Sequence, residues 1–188
     1  MAGKLYDEKS IESLSPLEFT RLRPGVYCGD TSTSTQLVVE IVSNAVDEFR
    51  LGHGNLITVE ILGARVTVSD QGQGFIPNSF REDGKTILEA AFSVLNTSGK
   101  YREDGTYEGT SLGSFGIGSK LATYLSHELI VTTYRDGQGE RITFNEGVFA
   151  DRDSTEVDKN IHGTSVFWRA SEEFFTDPRP DVKALTEL

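Results

Sequence analysis

The sequence predicts an α+β fold with helices layered on one face of a single sheet. Three observations carry this. Residues 34–51 and 86–95 space their apolar side chains with helical periodicity. Five runs (57–62, 65–70, 127–135, 140–147 and 162–170) are strand-like and separated by Gly/Asp turns. No repeat, low-complexity tract or Pro/Ser linker divides the chain, so 15–188 reads as one domain behind a polar arm at 1–14.

In chain order, Pro16 opens a short helix that ends before the turn residues Arg23-Pro24-Gly25. The helix over 34–51 follows. ITVEIL and RVTVSD alternate around Gly63 and read as a hairpin. TILEAAFSVL is a second helix. Gly99 to Gly118 contains six glycines, too many for a regular element, before SKLATYLS resumes a helix. HELIVTTYR, ERITFNEG and HGTSVFWRA are strands, and PRPDVKALTEL closes with a helix. Helices interleaved with antiparallel hairpins point to a mostly antiparallel sheet.

Composition excludes several classes. The 188 residues hold 29 acids against 18 bases, a net charge of −11, whereas a surface that grips a nucleic-acid backbone is usually basic. A single nucleotide needs only a local site and stays possible. One cysteine, Cys28, excludes an internal disulfide framework and fits a reducing, cytoplasmic setting. Three scattered histidines argue against a histidine metal site. No uncharged stretch approaches the ~18 residues of a membrane span, and acids occupy the start where a signal peptide would be apolar.

Three motifs carry chemistry. On the 34–51 helix, at about 100° per residue, Glu40, Asn44 and Asp47 fall within roughly 60° of one another. Val38, Val42, Ala45 and Phe49 lie opposite, and Val39, Ile41 and Val46 fill the flanks. A solvated stripe is one reading. The other follows from the apolar flanks: half-buried carboxylates need compensation, and Glu with Asn one turn apart can polarise a water and hold Mg²⁺ through oxygen. Asp70-Gln71-Gly72-Gln73-Gly74 ends a strand in an acid and continues through two glycines. It is either an Asp-rich turn or an acceptor for an exocyclic amine beside a backbone that a flat ligand approaches closely. Gly113-Ser114-Phe115-Gly116-Ile117-Gly118 runs into a helix. It is either a linker or an anion cradle, with Lys100 upstream as a mobile charge. The spacing is GxxGxG, with no strand before it and no GxxxxGK[ST], so dinucleotide and P-loop readings fail their context.

In this order the motifs resemble the ATP-binding domain shared by gyrase B, Hsp90, histidine kinases and MutL. LRPGVYCGDT (22–31) resembles the RPGMYIG segment of the ATPase subunits of the bacterial type IIA topoisomerases, gyrase and topoisomerase IV. EIVSNAVDE (40–48) resembles their EVVDNAIDE, LNTSGKY (95–101) their LHAGGKF, and HGTSVFW (162–168) their TGTMVRFW; the arm from Tyr6 also runs without a gap against the gyrase pattern. The resemblance spans essentially the whole chain. It implies the Bergerat two-layer α/β sandwich, with a mixed, mostly antiparallel sheet. It also implies ATP and Mg²⁺ as ligands, and an ATP-driven dimer gate for DNA strand passage.

Carried over by position, Glu40 resembles the base that activates water and Asn44 the Mg²⁺ ligand. Asp70 resembles the acid that accepts the adenine amine, helped by Thr164 and a water, and Gly74 the glycine that admits the base. Glu48, Ile76 and Pro77 fall in the matching pocket wall, and Lys100, Gly113, Phe115, Gly116, Ile117 and Gly118 in the phosphate-binding lid. Arg135 matches the pocket-mouth position that meets inhibitors, and Tyr6 and Ile11 match arm residues that reach a second copy of the subunit. The DNA-cleaving subunit and duplex DNA are the further partners implied; the second, lysine-bearing domain of the family and its DNA-cutting domains are absent from these residues.

Four positions depart from the gyrase pattern. Gln73 stands where an arginine pairs with an acid like Glu48, so that ion pair is missing. Phe75 is an apparent insertion before Ile76, Ala91 replaces a larger aliphatic residue, and Phe115 replaces a histidine. GSFGIG is closer to Hsp90 and favours the alternative, an Hsp90- or MutL-like ATPase acting as a chaperone or repair clamp; the arm and the RPG turn argue against it.

Overall fold

The computed structural model describes residues 13–95 and 116–187. Tyr6, Ile11, Lys100, Gly113 and Phe115 lie outside the described residues. Among those described, six helices, α1 (Pro16–Leu22), α2 (Pro24–Cys28), α3 (Thr35–Arg50), α4 (Ile87–Ser93), α5 (Gly118–Tyr124) and α6 (Val182–Thr186), accompany six strands. The strands are β1 (Ile57–Leu62), β2 (Arg65–Asp70), β3 (Ser126–Arg135), β4 (Gln138–Asn145), β5 (Val148–Glu156) and β6 (Gly163–Ala170). They form one sheet in the order β1-β2-β6-β3-β4-β5, and every strand pairing in it is antiparallel. Parallel pairing among the described residues is confined to an isolated bridge, Thr33 to Asp177, outside the sheet.

Local chemistry sets the helix starts. Ser15 and Glu18 form a capping box around α1, with Pro16 in its first turn, and Thr86 and Asp181 accept from backbone N–H groups of α4 and α6. The RPG segment is more than a turn: Pro24 starts a one-turn helix, α2, closed by Gly29 at φ 69°.

Inward residues of four central strands align in register across the sheet. Val68, Val166, Val131 and Ile142 form one buried row, and Val66, Trp168, Leu129 and Phe144 the next. Leu37, Val38, Ile41 and Ala45 of α3 and Leu121 and Ala122 of α5 close the core over them. Phe49, on the side of α3 opposite the polar stripe, is 55% exposed and lies outside the core. Strand β5 has no counterpart among the strands expected from periodicity: VFADRDSTE is exposed along almost its whole length, so nothing selects apolar alternation.

Two tethers fix the ends of the domain. Residues 176–181 run beside the entry to α3, with Thr176 N–H donating to Thr31 O, Asp177 N–H to Ser32 O, Ser34 Oγ to Pro178 O and Asp181 N–H to Thr35 Oγ1. Arg21 of α1 donates to both the carbonyl and the carboxylate of Glu146 and lies over the ring of Phe174, just before that segment in sequence. His127 bridges Glu146 and Glu172 at 2.6 and 2.8 Å. The hydrogen bond with Glu146, joined by that with Glu172, holds the His127 imidazole above its ordinary range against the opposing effect of burial.

A histidine whose folded value is raised stabilises the fold fully below its unfolded value, ~6.5, and loses that contribution as pH rises through the folded value. Thermal melts of the wild-type chain should therefore fall more steeply above pH ~6.5 than those of His127→Gln. Parallel profiles would show that the bridge contributes nothing.

Candidate functional site

Helix α3 presents its polar stripe as expected, but with unequal burial. Glu40 is half-buried, Asn44 is exposed and Asp47 is 4% exposed. Gln36, one turn earlier, donates Nε2–H to Glu40 Oε1 at 2.8 Å. The other oxygen, Oε2, faces Gly118 at the start of α5, where any Cβ would overlap it. Glycine is thus required at 118 by close approach of the acid, and the acid is directed at the helix that the glycine-rich segment enters. Gly116, at φ 62°, and Ile117 lie immediately before that helix. Ser119 and Tyr124 anchor α5 to the end of α4 by donating to Ala91 O and Ser93 O. Cys28 lies close enough for the negative charge of Glu40 to add to burial, and together they push its thiol up to about 12, so it is an inert core group.

The second centre is at the end of β2. One register step beyond the two apolar rows, the inward positions turn polar: Asp70, Thr164, Thr133 and Glu140 on β2, β6, β3 and β4. Asp70 Oδ1 accepts from Gly72 N–H at 2.7 Å and Thr164 N–H at 3.3 Å. Among the described residues its Oδ2 accepts no hydrogen bond. Burial is the largest effect on this carboxyl and raises it, with the two N–H donors opposing and the charge of Glu48 adding to the rise. The site therefore offers one free carboxylate oxygen in a sheltered slot, suited to an N–H donor on a ligand.

Backbone shape makes the slot. Gly74 has φ 68°, and a Cβ there would meet Tyr134 O at 2.5 Å and Gly163 O at 3.0 Å. Gly163, at φ 120°, lies so close to Asp70 O that a side chain cannot fit. Pro77 is buried beyond this turn, whereas Ile76 is 53% exposed at its rim.

The mouth is wired differently from the pattern that the sequence resembles. Glu48 Oε2 pairs with His53 Nδ1 at 3.2 Å and accepts from Gln73 N–H at 3.3 Å. His53 thus faces the carboxylate that the resemblance would pair with an arginine at position 73. Arg135 Nη1 donates to Gln73 Oε1 and Gly74 O at 3.4 and 3.3 Å, so Arg135 and Gln73 close one side of the opening. The half-buried Phe75 packs on the core, so the apparent insertion is absorbed into the wall. His162 Nδ1 lies 2.7 Å from Gly72 O. Sequence reasoning assigned no role to His53, His162, Gly163, Thr133 or Glu140. The last two left a signal: alternation places them inward with Leu129, Val131, Ile142 and Phe144, where a polar residue is unexpected.

A family model described as "Histidine kinase-, DNA gyrase B-, and HSP90-like ATPase" matches residues 32–166. The chain is 33% identical over 188 residues to the B-type subunit of DNA gyrase from Clostridium acetobutylicum, covering 98% of this chain and 29% of that protein. It is 39% identical over 145 residues to the B-type subunit of DNA topoisomerase 4 from Staphylococcus aureus, covering 76% of this chain and 21% of that protein. Its fold superposes on the 43K ATPase domain of Thermus thermophilus gyrase B, solved with an aminocoumarin, with TM-score 0.73 and 28% identity over 91% of this chain and 43% of that one. The chain thus spans less than a third of the length of these curated relatives. The matched residues contain α3, the Asp70 slot and the start of α5, so the geometry and the family model select the same region, and the chain belongs to the histidine kinase-, DNA gyrase B- and HSP90-like ATPases.

Proposed function

We propose that this chain is the ATP-binding and hydrolysing domain of a type IIA DNA topoisomerase, from the subunit whose ATP-dependent pairing with a second copy gates DNA strand passage. The observation that carries the reading is one site uniting two acids of different character. Asp70 is sheltered, with one oxygen held by two backbone amides and the other available, while Glu40 is aimed at the glycine that starts α5. A nucleotide spanning them would set its base against Asp70 and its phosphates toward α5.

In this reading Asp70 Oδ2 accepts the adenine amine, beside Thr164, while Gly74 lets the backbone approach the ring. Glu48, Ile76 and Pro77 complete the wall. Glu40, oriented by Gln36, receives the proton of the attacking water as its oxygen bonds to the terminal phosphorus and the bond from that phosphorus to the β–γ bridging oxygen breaks, its electron pair leaving on ADP. The donor set suits Mg²⁺, since Asn44 presents an exposed amide one turn from Glu40; the ion would be held by Asn44 and would neutralise phosphate charge. Lys100 and the segment Gly113, Phe115, Gly116, Ile117 and Gly118 would donate to the phosphates, and Tyr6 and Ile11 would contact the second copy. Arg135, at the mouth beside Gln73, would meet inhibitors entering from solvent. The net charge of −11 fits a domain that leaves duplex DNA to other parts of the complex, including the DNA-cleaving subunit.

Two substitutions test the acids separately. Glu40→Gln keeps size and hydrogen bonding but removes the base. In a longer subunit with measurable turnover, hydrolysis should fall roughly 10²-fold or more while ATP binding stays within a few-fold. Turnover within a factor of three of the wild type would remove Glu40 from the role. Asp70→Asn sets an amide donor against the adenine amine and should weaken ATP and ADP together by about 1–3 kcal/mol in calorimetry. If GTP displaces a fluorescent ATP analogue from the wild-type chain as well as ATP does, Asp70 does not read adenine.

A further inference from the structure

Between β2 and α4 the chain crosses the end of the sheet as a loop whose regular pairing is confined to the bridge between Phe80 and Thr86. Three of its backbone N–H groups, each three residues from the last, donate to side chains at three of the four positions of the inward polar row. Gly72 N–H donates to Asp70 Oδ1 on β2 at 2.7 Å, Phe75 N–H to Thr133 Oγ1 on β3 at 2.8 Å, and Asn78 N–H to Glu140 Oε2 on β4 at 2.8 Å. Thr133 and Glu140 are both 0% exposed.

Each buried group uses more than one bond. Thr133 Oγ1 also donates to Gly163 O at 3.3 Å, immediately before the Thr164 N–H that holds Asp70. One hydroxyl therefore joins the two backbone segments that flank the Asp70 carboxylate. Glu140 Oε1 accepts from Thr86 Oγ1, the cap of α4, at 2.6 Å, and Asn78 is held at φ 55° with its Oδ1 accepting from Ser154 on β5. A valine or isoleucine at 133 or 140 would suit the apolar rows beside them, and a polar group there is tolerable only because its hydrogen bonds are made. Gln73 N–H on Glu48, Arg135 on Gly74 O and His162 on Gly72 O hold the exposed side of this Gly-x-Gly loop, and the bonds to Thr133 and Glu140 tie its path to the buried end of the sheet.

We propose that Thr133 and Glu140 are positioning residues of the nucleotide site: they stitch loop 72–78 to the sheet end and so set the width of the slot that receives the base. This rests on the ATPase reading above. Thr133 does not touch the nucleotide; it acts through Phe75 and Gly163, which place Gly74 and Asp70.

The test compares Thr133→Val, which keeps the shape and removes the hydroxyl, with Thr133→Ser, which keeps the hydroxyl. ADP and GDP binding to the 188-residue chain is measured by calorimetry, and amide exchange by NMR. For Thr133→Val, ADP affinity should fall roughly 5- to 50-fold, the preference for ADP over GDP should narrow, and the Phe75 amide should exchange faster. Thr133→Ser should bind ADP within about two-fold of the wild type, a rescue that loss of packing alone would not give. A folded Thr133→Val chain with wild-type affinity and selectivity, or a serine variant as weak as the valine one, overturns the proposal. Should the valine chain fail to fold, the wild type decides: the Phe75 amide must be protected in the free protein and gain protection with ADP, and exchange as fast as that of its exposed neighbours overturns it. A wild-type chain that binds no ADP would instead overturn the ATPase reading.

Discussion

Sheltering a carboxylate at the end of a β-strand carries a desolvation cost that hydrogen bonds must offset, and that requirement at Asp70 organises this end of the sheet. One oxygen is held by amides from the loop that follows β2 and from the first turn of β6, strands that are neighbours in the sheet but 94 residues apart in sequence. For those two amides to converge, glycine is needed at 74 and 163, where backbone approaches backbone too closely for a side chain. The adjoining strands must also supply polar side chains inward to hold the loop. The apolar rows below give this polar row a rigid floor, because Trp168, Leu129, Val131, Phe144 and Ile142 are fully buried beneath it.

The opposing layer answers a different demand. Helix α3 seals the sheet with Leu37, Val38, Ile41 and Ala45 while keeping Glu40 and Asn44 off that seal. Its acid is set by Gln36 along the helix and by the bare surface of Gly118 across it. The two centres are thus built on separate layers, one on strand ends and one on a helix face, and the packing of α3 on the sheet fixes their separation.

Much of this was legible in the sequence. Helix spacing located α3, alternation located β1 and β2, and strand-like runs between Gly/Asp turns located β3, β4 and β6 to within two residues. The signals failed where burial does not dictate residue type. Strand β5 is paired on one side and exposed along its length, so its letters read as a loop, and the RPG turn hides a single helical turn. At the site, Asp70, Gly74 and Glu40 stood out by motif, whereas the His53–Glu48 pair did not. It depends on how the residues after α3 fold back, and no local pattern encodes that. Thr133 and Glu140 were visible as inward polar letters, but their meaning required knowing that a loop passes over them.

The two ends of the sheet differ in a way that bears on how these molecules behave when crowded. An open strand edge is a template for any other chain with unpaired backbone groups, and proteins blunt it with charge. Strand β5 carries Asp151, Arg152, Asp153 and Glu156 along its exposed length, so the charges that obscured it as a strand also discourage uncontrolled sheet extension from that side. Strand β1 has no such armour: ITVEIL offers Glu60 as its sole charge, with Val59 41% and Leu62 75% exposed. Among the described residues, the β1 edge therefore sets one glutamate against sheet extension where the β5 edge sets four charges.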